Sequence, residues 1–227
     1  NMTAQYSAST SGPLAGVKIL DLTSVVMGPF ATQILAQLGA EVIKVETPEG
    51  DNMRHVGPMN HAGMGHIFLH ANAGKRSIVL NLKHPDGREA VLKMAESCDV
   101  FISNVRPQAL ARLGLDYEAV RQRNPRIIHV SCCGFDQDGP DAARPAYDDL
   151  IQGAIGVPGL AHMADGSEPR YAPTAIVDRI EVLTGSASAC TAVPLTRRIR
   201  PMWRWQPLPC SSWRWTGSMS FLPVSRG

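Results

Sequence analysis

The sequence predicts an open, mostly parallel α/β sheet with helices on both faces. Three observations carry that expectation. Short β-branched apolar runs alternate with stretches of helical period. Glycine or proline stands at the joints between them. The composition is globular, with 44% hydrophobic and 19% charged residues. Strands separated by whole helices pair in parallel through right-handed crossovers.

The elements follow in order. Val17–Thr23 (VKILDLT) is a short apolar run and reads as a strand. Gly28 and Pro29 open a helix in which Phe30, Ile34 and Leu38 recur every four residues, with Ala31 and Leu35 beside them. Gly39 ends it as a C′ glycine. Glu41–Glu46 (EVIKVE) is the second strand and Ser77–Leu82 (SIVLNL) the third. Pro85 then takes a first helical position, with Asp86 and Glu89 in the turn that favours acids. Ala90, Val91, Met94, Ala95 and Cys98 form the buried face of that helix. Val100–Asn104 (VFISN) is a strand, followed by short helices around Pro107–Leu113 and Tyr117–Asn124. Arg126–Ser131 (RIIHVS) is the last strand, and Gly134–Pro145 a loop rich in Gly, Pro and Asp. After Asp148 the text is helical with small residues, interrupted by a loop through Gly166–Pro173. The whole is a Rossmann-like, doubly wound arrangement, whose ligands sit beyond the carboxyl ends of the strands.

Bulk properties exclude several classes. No apolar run reaches the roughly 18–20 residues of a membrane span. The polar start, residues 1–11, has no signal-peptide pattern and reads as a loose tail. The five cysteines show no metal or disulfide spacing, so free thiols in a reducing cytoplasm are expected. The net charge of +2 hides six arginines and no acid in residues 196–227. The rest carries 16 basic against 20 acidic residues, which argues against a nucleic-acid partner.

Dinucleotide, P-loop, GxSxG and HExxH fingerprints are all missing. His66 and His70 share an i, i+4 spacing, but no acid completes a metal set there, and no metal is expected. Cations are better placed: Lys75 and Arg76 precede a strand, Lys83 follows it, and Arg106 and Arg112 follow the next. They suit a polyanionic ligand, although on spacing alone a solvated face is the leading reading.

Several ordered motifs resemble one family. They are Gly12 to Thr23 (GPLAGVKILDLT), Gly28-Pro29, Leu38 to Glu46 (LGAEVIKVE), Asn72 to Ile78 (NAGKRSI), Leu80 to Lys83 and Asn104 to Pro107 (NVRP). The series continues with Leu113 to Tyr117 (LGLDY), Asn124-Pro125, Gly134-Phe135, Tyr147-Asp148 with Gln152, and Asp178 followed by Thr184-Gly185. Together they resemble the N-terminal half of the class III CoA-transferases, a family that also contains the α-methylacyl-CoA racemases. The resemblance spans residues 12–192.

It implies an acyl-CoA and a carboxylic acid as substrates, coenzyme A as the carrier, no metal, and a cytoplasmic homodimer of two interlocked two-domain chains. It also implies an aspartate nucleophile, which falls at Asp178; from its residues alone, that aspartate reads as a helix N-cap. By the same resemblance Val25, Val26 and Met27 touch CoA, Leu80 and Lys83 lie beside adenine and phosphates, and Asn104 and Arg112 make further contacts. Arg106 and Lys75 are expected phosphate partners. The racemase branch carries a histidine where this chain has Tyr147. Proton shuttling at a carbon needs an acid and a base on opposite faces, and a phenol near pKa 10 serves poorly, so transferase is expected over racemase.

The tail departs from the resemblance. From about residue 193 all four tryptophans crowd into 13 positions among prolines, and acids vanish. Residues 193–227 therefore read as translated out of frame, which resequencing the coding DNA tests. A genuine basic, aromatic segment for a membrane surface or nucleic acid is the alternative, against which the prolines argue. A third reading is an inactive, CoA-binding fragment of a longer enzyme.

Overall fold

The computed structural model describes residues 11–180, apart from Asp136. The expected tails, residues 1–11 but for Ser11 and residues 193–227, lie outside the described residues, as do Thr184 and Gly185. Five strands form one sheet: β1 (Lys18–Leu22), β2 (Glu41–Glu46), β3 (Arg76–Val79), β4 (Val100–Ser103) and β5 (Ile128–Ser131). Their order is β3-β2-β1-β4-β5, and all four neighbouring pairs are parallel. The helices are α1 (Met27–Gln37), α2 (His66–Ala71), α3 (Pro85–Ala95), α4 (Pro107–Arg112), α5 (Tyr117–Arg123), α6 (Asp148–Ala154) and α7 (Val157–Asp165).

Strand alternation sorts the core into two layers. Ile19, Val42, Val100 and Ile102 pack with Leu35 and Ala36 of α1 on one face. Leu20, Val45 and Phe101 pack on the other with Val91 and Ala95 of α3, Leu110 of α4 and Val120 of α5. The chain winds outward from β1 to β3, then returns across β1 to place β4. That reversal makes a switch point between the carboxyl ends of β1 and β4, where ligand crevices form in such sheets.

Helix α1 ends as its glycine predicts. Gly39 has φ +100°, its N–H donates to Ala36 O at 3.0 Å, and the Ala40 N–H donates to Leu35 O at 3.1 Å. This is a complete Schellman closure. The orientation of α1 differs from the expected one. Ala31, Thr32, Leu35 and Ala36 are buried, while Phe30, Ile34 and Leu38 are only half-buried. The reason is polar: Thr32 is fully buried because its hydroxyl donates to Asp21 Oδ2 at 2.6 Å, and that bond turns the helix.

Two elements are new. Asn52–His55 forms a 3-10 turn capped by Asp51, whose carboxylate accepts the Met53 N–H. Helix α2 carries His66 and His70, and His70 packs its ring 5.7 Å from Phe30. Strands β3 and β5 are shorter than expected, at four residues each. Among the described residues, no helix is long and apolar enough to cross a membrane.

Candidate active site

A cleft of about 250 Å³ opens at the switch point. The loops that follow β1, β4 and β5 form its walls, and α6 with the segment around Asp178 closes one side. Six expected residues line it: Val25, Val26, Met27, Asn104, Arg106 and Asp178. They come from positions 25 to 178 of the chain, and only the winding of the sheet brings them together.

Asp178 lies inside a helix rather than at its cap. Residues 176–180 are helical, so it belongs to the first turn. The cap comes from α6: Asp148 Oδ1 accepts the N–H groups of Val177 at 2.7 Å and Asp178 at 3.0 Å. Gln152, buried one turn along α6, donates to Asp148 Oδ2 and accepts the Ala172 N–H at 2.8 Å. Asp148 and Gln152 of that motif thus clamp the Asp178 helix. Asp178 itself is half-buried. Burial, and then the charge of Asp148, push its carboxyl above the ordinary range. A carboxyl shifted in this way inside a cleft marks a candidate functional residue.

The loop after β1 forms another wall. Val25 has φ +73°, a strained value for a β-branched residue. Val26 begins α1 with no side-chain cap, so the first-turn N–H groups of Met27 and Gly28 receive no side chain there. Gly28 is required: a Cβ there would lie 2.4 Å from the Thr23 side chain. Uncapped N–H groups at a helix start favour negative charge.

Asn104 lines the cleft, but both ends of its amide are engaged. Its Oδ1 accepts the Ser24 N–H at 2.9 Å and its Nδ2 donates to Ser24 O at 2.8 Å. Arg106 is exposed at the start of α4 and makes no ion pair among the described residues. Lys75, expected as a phosphate partner, is engaged elsewhere in this structure. Its ammonium is buried against Asp21 Oδ2 at 3.1 Å, Pro29 O at 2.7 Å and Asn72 Oδ1 at 2.8 Å. Three acceptors exhaust its three donors. Burial works against the Asp21 charge, but Lys75, Lys44 and the hydroxyls of Thr23 and Thr32 hold that carboxyl below the usual range.

Leu80, Lys83 and Arg112 do not line the cleft. Leu80 and Lys83 follow β3, two strands or about 10 Å of sheet from β1. Arg112 ends α4, with its Nε donating to Gln108 O at 3.2 Å.

Sequence reasoning missed three things. Arg144, in the loop before α6, lines the cleft; it pairs with Asp141 at 3.1 Å and lies 5.8 Å from the Phe135 ring. Its place within the Gly134–Pro145 loop was the available signal. Lys44 and Asp51 form an ion pair at 2.9 Å with both side chains 1% exposed, and Glu46 binds Arg54 at 2.7 Å. The charged pattern of the EVIKVE strand was the sign of them.

Comparison with known proteins agrees with this geometry. Residues 14–199 match CoA-transferase family III. The chain is 41% identical over 196 residues to an acetyl-CoA:oxalate CoA-transferase of Acetobacter aceti, covering 84% of this chain and 50% of that one. It is 45% identical over 152 residues to the succinyl-CoA:glutarate CoA-transferase of Homo sapiens, covering 66% of this chain and 34% of that one. A crystal structure of a CAIB/BAIF family protein from Brucella suis superposes with a TM-score of 0.76 at 37% identity, over 82% of this chain and 50% of that one. The chain thus spans about half the length, or less, of these relatives. With the expected motifs, the parallel sheet and the switch-point cleft in place, the chain belongs to CoA-transferase family III.

Proposed function

We propose that this chain supplies the CoA-thioester half of an enzyme that moves coenzyme A between an acyl-CoA and a carboxylic acid, with Asp178 as nucleophile. The observation that carries the reading is that the half-buried Asp178 carboxylate and an uncapped helix start line one cleft. A carboxylate oxygen of Asp178 attacks the thioester carbonyl, the C–S bond breaks, and CoA leaves as thiolate, giving an acyl-aspartyl anhydride. The thiolate then attacks the aspartyl carbonyl of the anhydride, releasing the first acid and forming an aspartyl-CoA thioester. The incoming carboxylate attacks that thioester and displaces the thiolate, forming a new anhydride. Thiolate attack on its acyl carbonyl yields the new acyl-CoA and frees Asp178.

Exclusion of water would protect both anhydrides, and the uncapped start of α1, whose Met27 lines the cleft, would favour the negative charge that develops. The cleft falls below the roughly 300–1,000 Å³ of drug-sized pockets. It suits the reacting end of the ligand. The rest of the cofactor would run along the carboxyl edge of the sheet, where Leu80 and Lys83 follow β3, with Arg106 and Arg112 as further contacts. A family homodimer would supply the remaining walls.

Trapping tests this. The protein is incubated with an acyl-CoA, hydroxylamine is added, and the peptide containing Asp178 is weighed by mass spectrometry. A hydroxamate at Asp178 is expected; an unmodified Asp178 in protein that binds CoA removes the nucleophile assignment. Binding without transfer favours the second reading, a CoA-binding fragment.

A further inference from the structure

The loop between β1 and α1 is held by side chains at five consecutive backbone groups. The Thr23 N–H donates to Asp21 Oδ1 at 2.9 Å, and Thr23 O accepts from Lys44 Nζ at 2.7 Å. The Ser24 N–H and carbonyl both bind the Asn104 amide, at 2.9 and 2.8 Å. The Val25 N–H donates to Asp51 Oδ1 at 3.3 Å. Asp51 is in turn paired with Lys44 at 2.9 Å, so the two sides of the loop share one buried ion pair. Surface loops ordinarily leave such groups to water.

The hold has a purpose legible in the backbone. A β-branched residue at φ +73° is strained and persists only where its surroundings impose it. Val25 is that residue, and it lies immediately before the helix start that forms the cleft wall. Both polar atoms of the Asn104 side chain bond Ser24, and Lys44 and Asp51 are buried beneath the loop. Lys44 and Asp51 do not line the cleft, and Asn104, which does, is tied to Ser24 at both ends of its amide.

We infer that Lys44, Asp51 and Asn104 are positioning residues for the cleft: they force Val25 into the left-handed conformation and so aim the first turn of α1 at the ligand. The inference rests on the reading of the cleft as a CoA-thioester site. It gives Asn104 a role through Ser24 in addition to the CoA contact expected of it.

The test uses the whole 227-residue chain, coenzyme A as probe, and glycine as the rescuer, since glycine adopts positive φ without strain. Lys44→Met with Asp51→Ala removes the ion pair without stranding a charge. Asn104→Ala removes the other clamp at a half-exposed position, where folding tolerates the change. Each is prepared with and without Val25→Gly, and CoA binding is titrated by calorimetry. Each clamp variant is expected to weaken CoA about tenfold, the equivalent of about 1.4 kcal/mol, and Val25→Gly to recover most of that loss. A Kd within about twofold of the parent, or an equal loss with and without Val25→Gly, overturns the inference. If the parent itself binds no CoA, the ligand reading fails. The positioning claim then rests on amide hydrogen exchange: Ser24 and Val25 are expected to exchange faster in the clamp variants while Leu20 and Phe101 stay protected. Unchanged exchange at Ser24 and Val25 would falsify it.

Discussion

At the scale of single residues, Asp178 and Lys75 show how burial assigns roles. The Asp178 carboxyl is raised above its ordinary range by burial and by Asp148. A raised acid stabilises the fold fully only below its unfolded pKa, and that contribution is lost as pH rises through the folded value. At neutral pH its charge therefore opposes folding. Asp178→Asn is expected to raise the melting temperature at pH 7 while abolishing the hydroxylamine-trapped adduct, a trade of stability for reactivity. Calorimetry and mass spectrometry check the two halves separately. Lys75 and Arg106 make the opposite contrast. Lys75→Ala strands the buried Asp21 and is expected to cost about 3–5 kcal/mol in urea unfolding. Arg106→Ala is expected to stay within about 0.5 kcal/mol in the same measurement. The sequence offered both as cations beside strands. It could not separate them, because the partner that buries Lys75 lies 54 residues away. Asp178 was legible through its motif; the Asp148 cap that orients it, 30 residues upstream, was not.

At the scale of elements, α1 carries the most information. Its span, its Schellman end and its glycine-proline start follow from local sequence, because each depends on neighbours within a turn or two. Its rotation about its own axis does not, since a buried hydroxyl bonded to Asp21 outweighs the Phe30, Ile34, Leu38 stripe. Helix α2 escaped notice because six residues with two histidines and no side-chain cap show no period. The start of α1 gives a prediction that runs against propensity. In an exposed helix, Gly→Ala gains about 1 kcal/mol. At Gly28 the new Cβ would meet Thr23 at 2.4 Å, so Gly28→Ala is expected to cost about 1–3 kcal/mol in urea unfolding and to weaken CoA binding with it.

At the scale of the whole molecule, acid is the expected route to unfolding. Hydrogen bonds from Arg54, Ser77 and the Asp51 backbone overcome burial and hold Glu46 at about 2. A depressed acid stabilises fully above its unfolded pKa, near 4.3, and progressively less as pH falls toward the folded value. Stability is therefore expected to decline from about pH 4.5 down to pH 2, and Glu46→Gln to flatten that decline in a circular-dichroism titration. The parallel α/β class was legible because strand–helix alternation is written along the chain. The order β3-β2-β1-β4-β5 was expected only as a class, since the pairing of β1 with β4 joins segments that share no local pattern. That same span bears on synthesis. The loop after β1 emerges early, yet the Asn104 that clamps Ser24 follows 80 residues later. At about 5–20 residues per second, the nascent loop waits roughly 4–16 seconds for its second anchor. Until then the wall of the cleft is unfinished on the ribosome, and a chain released before β4 would leave without it.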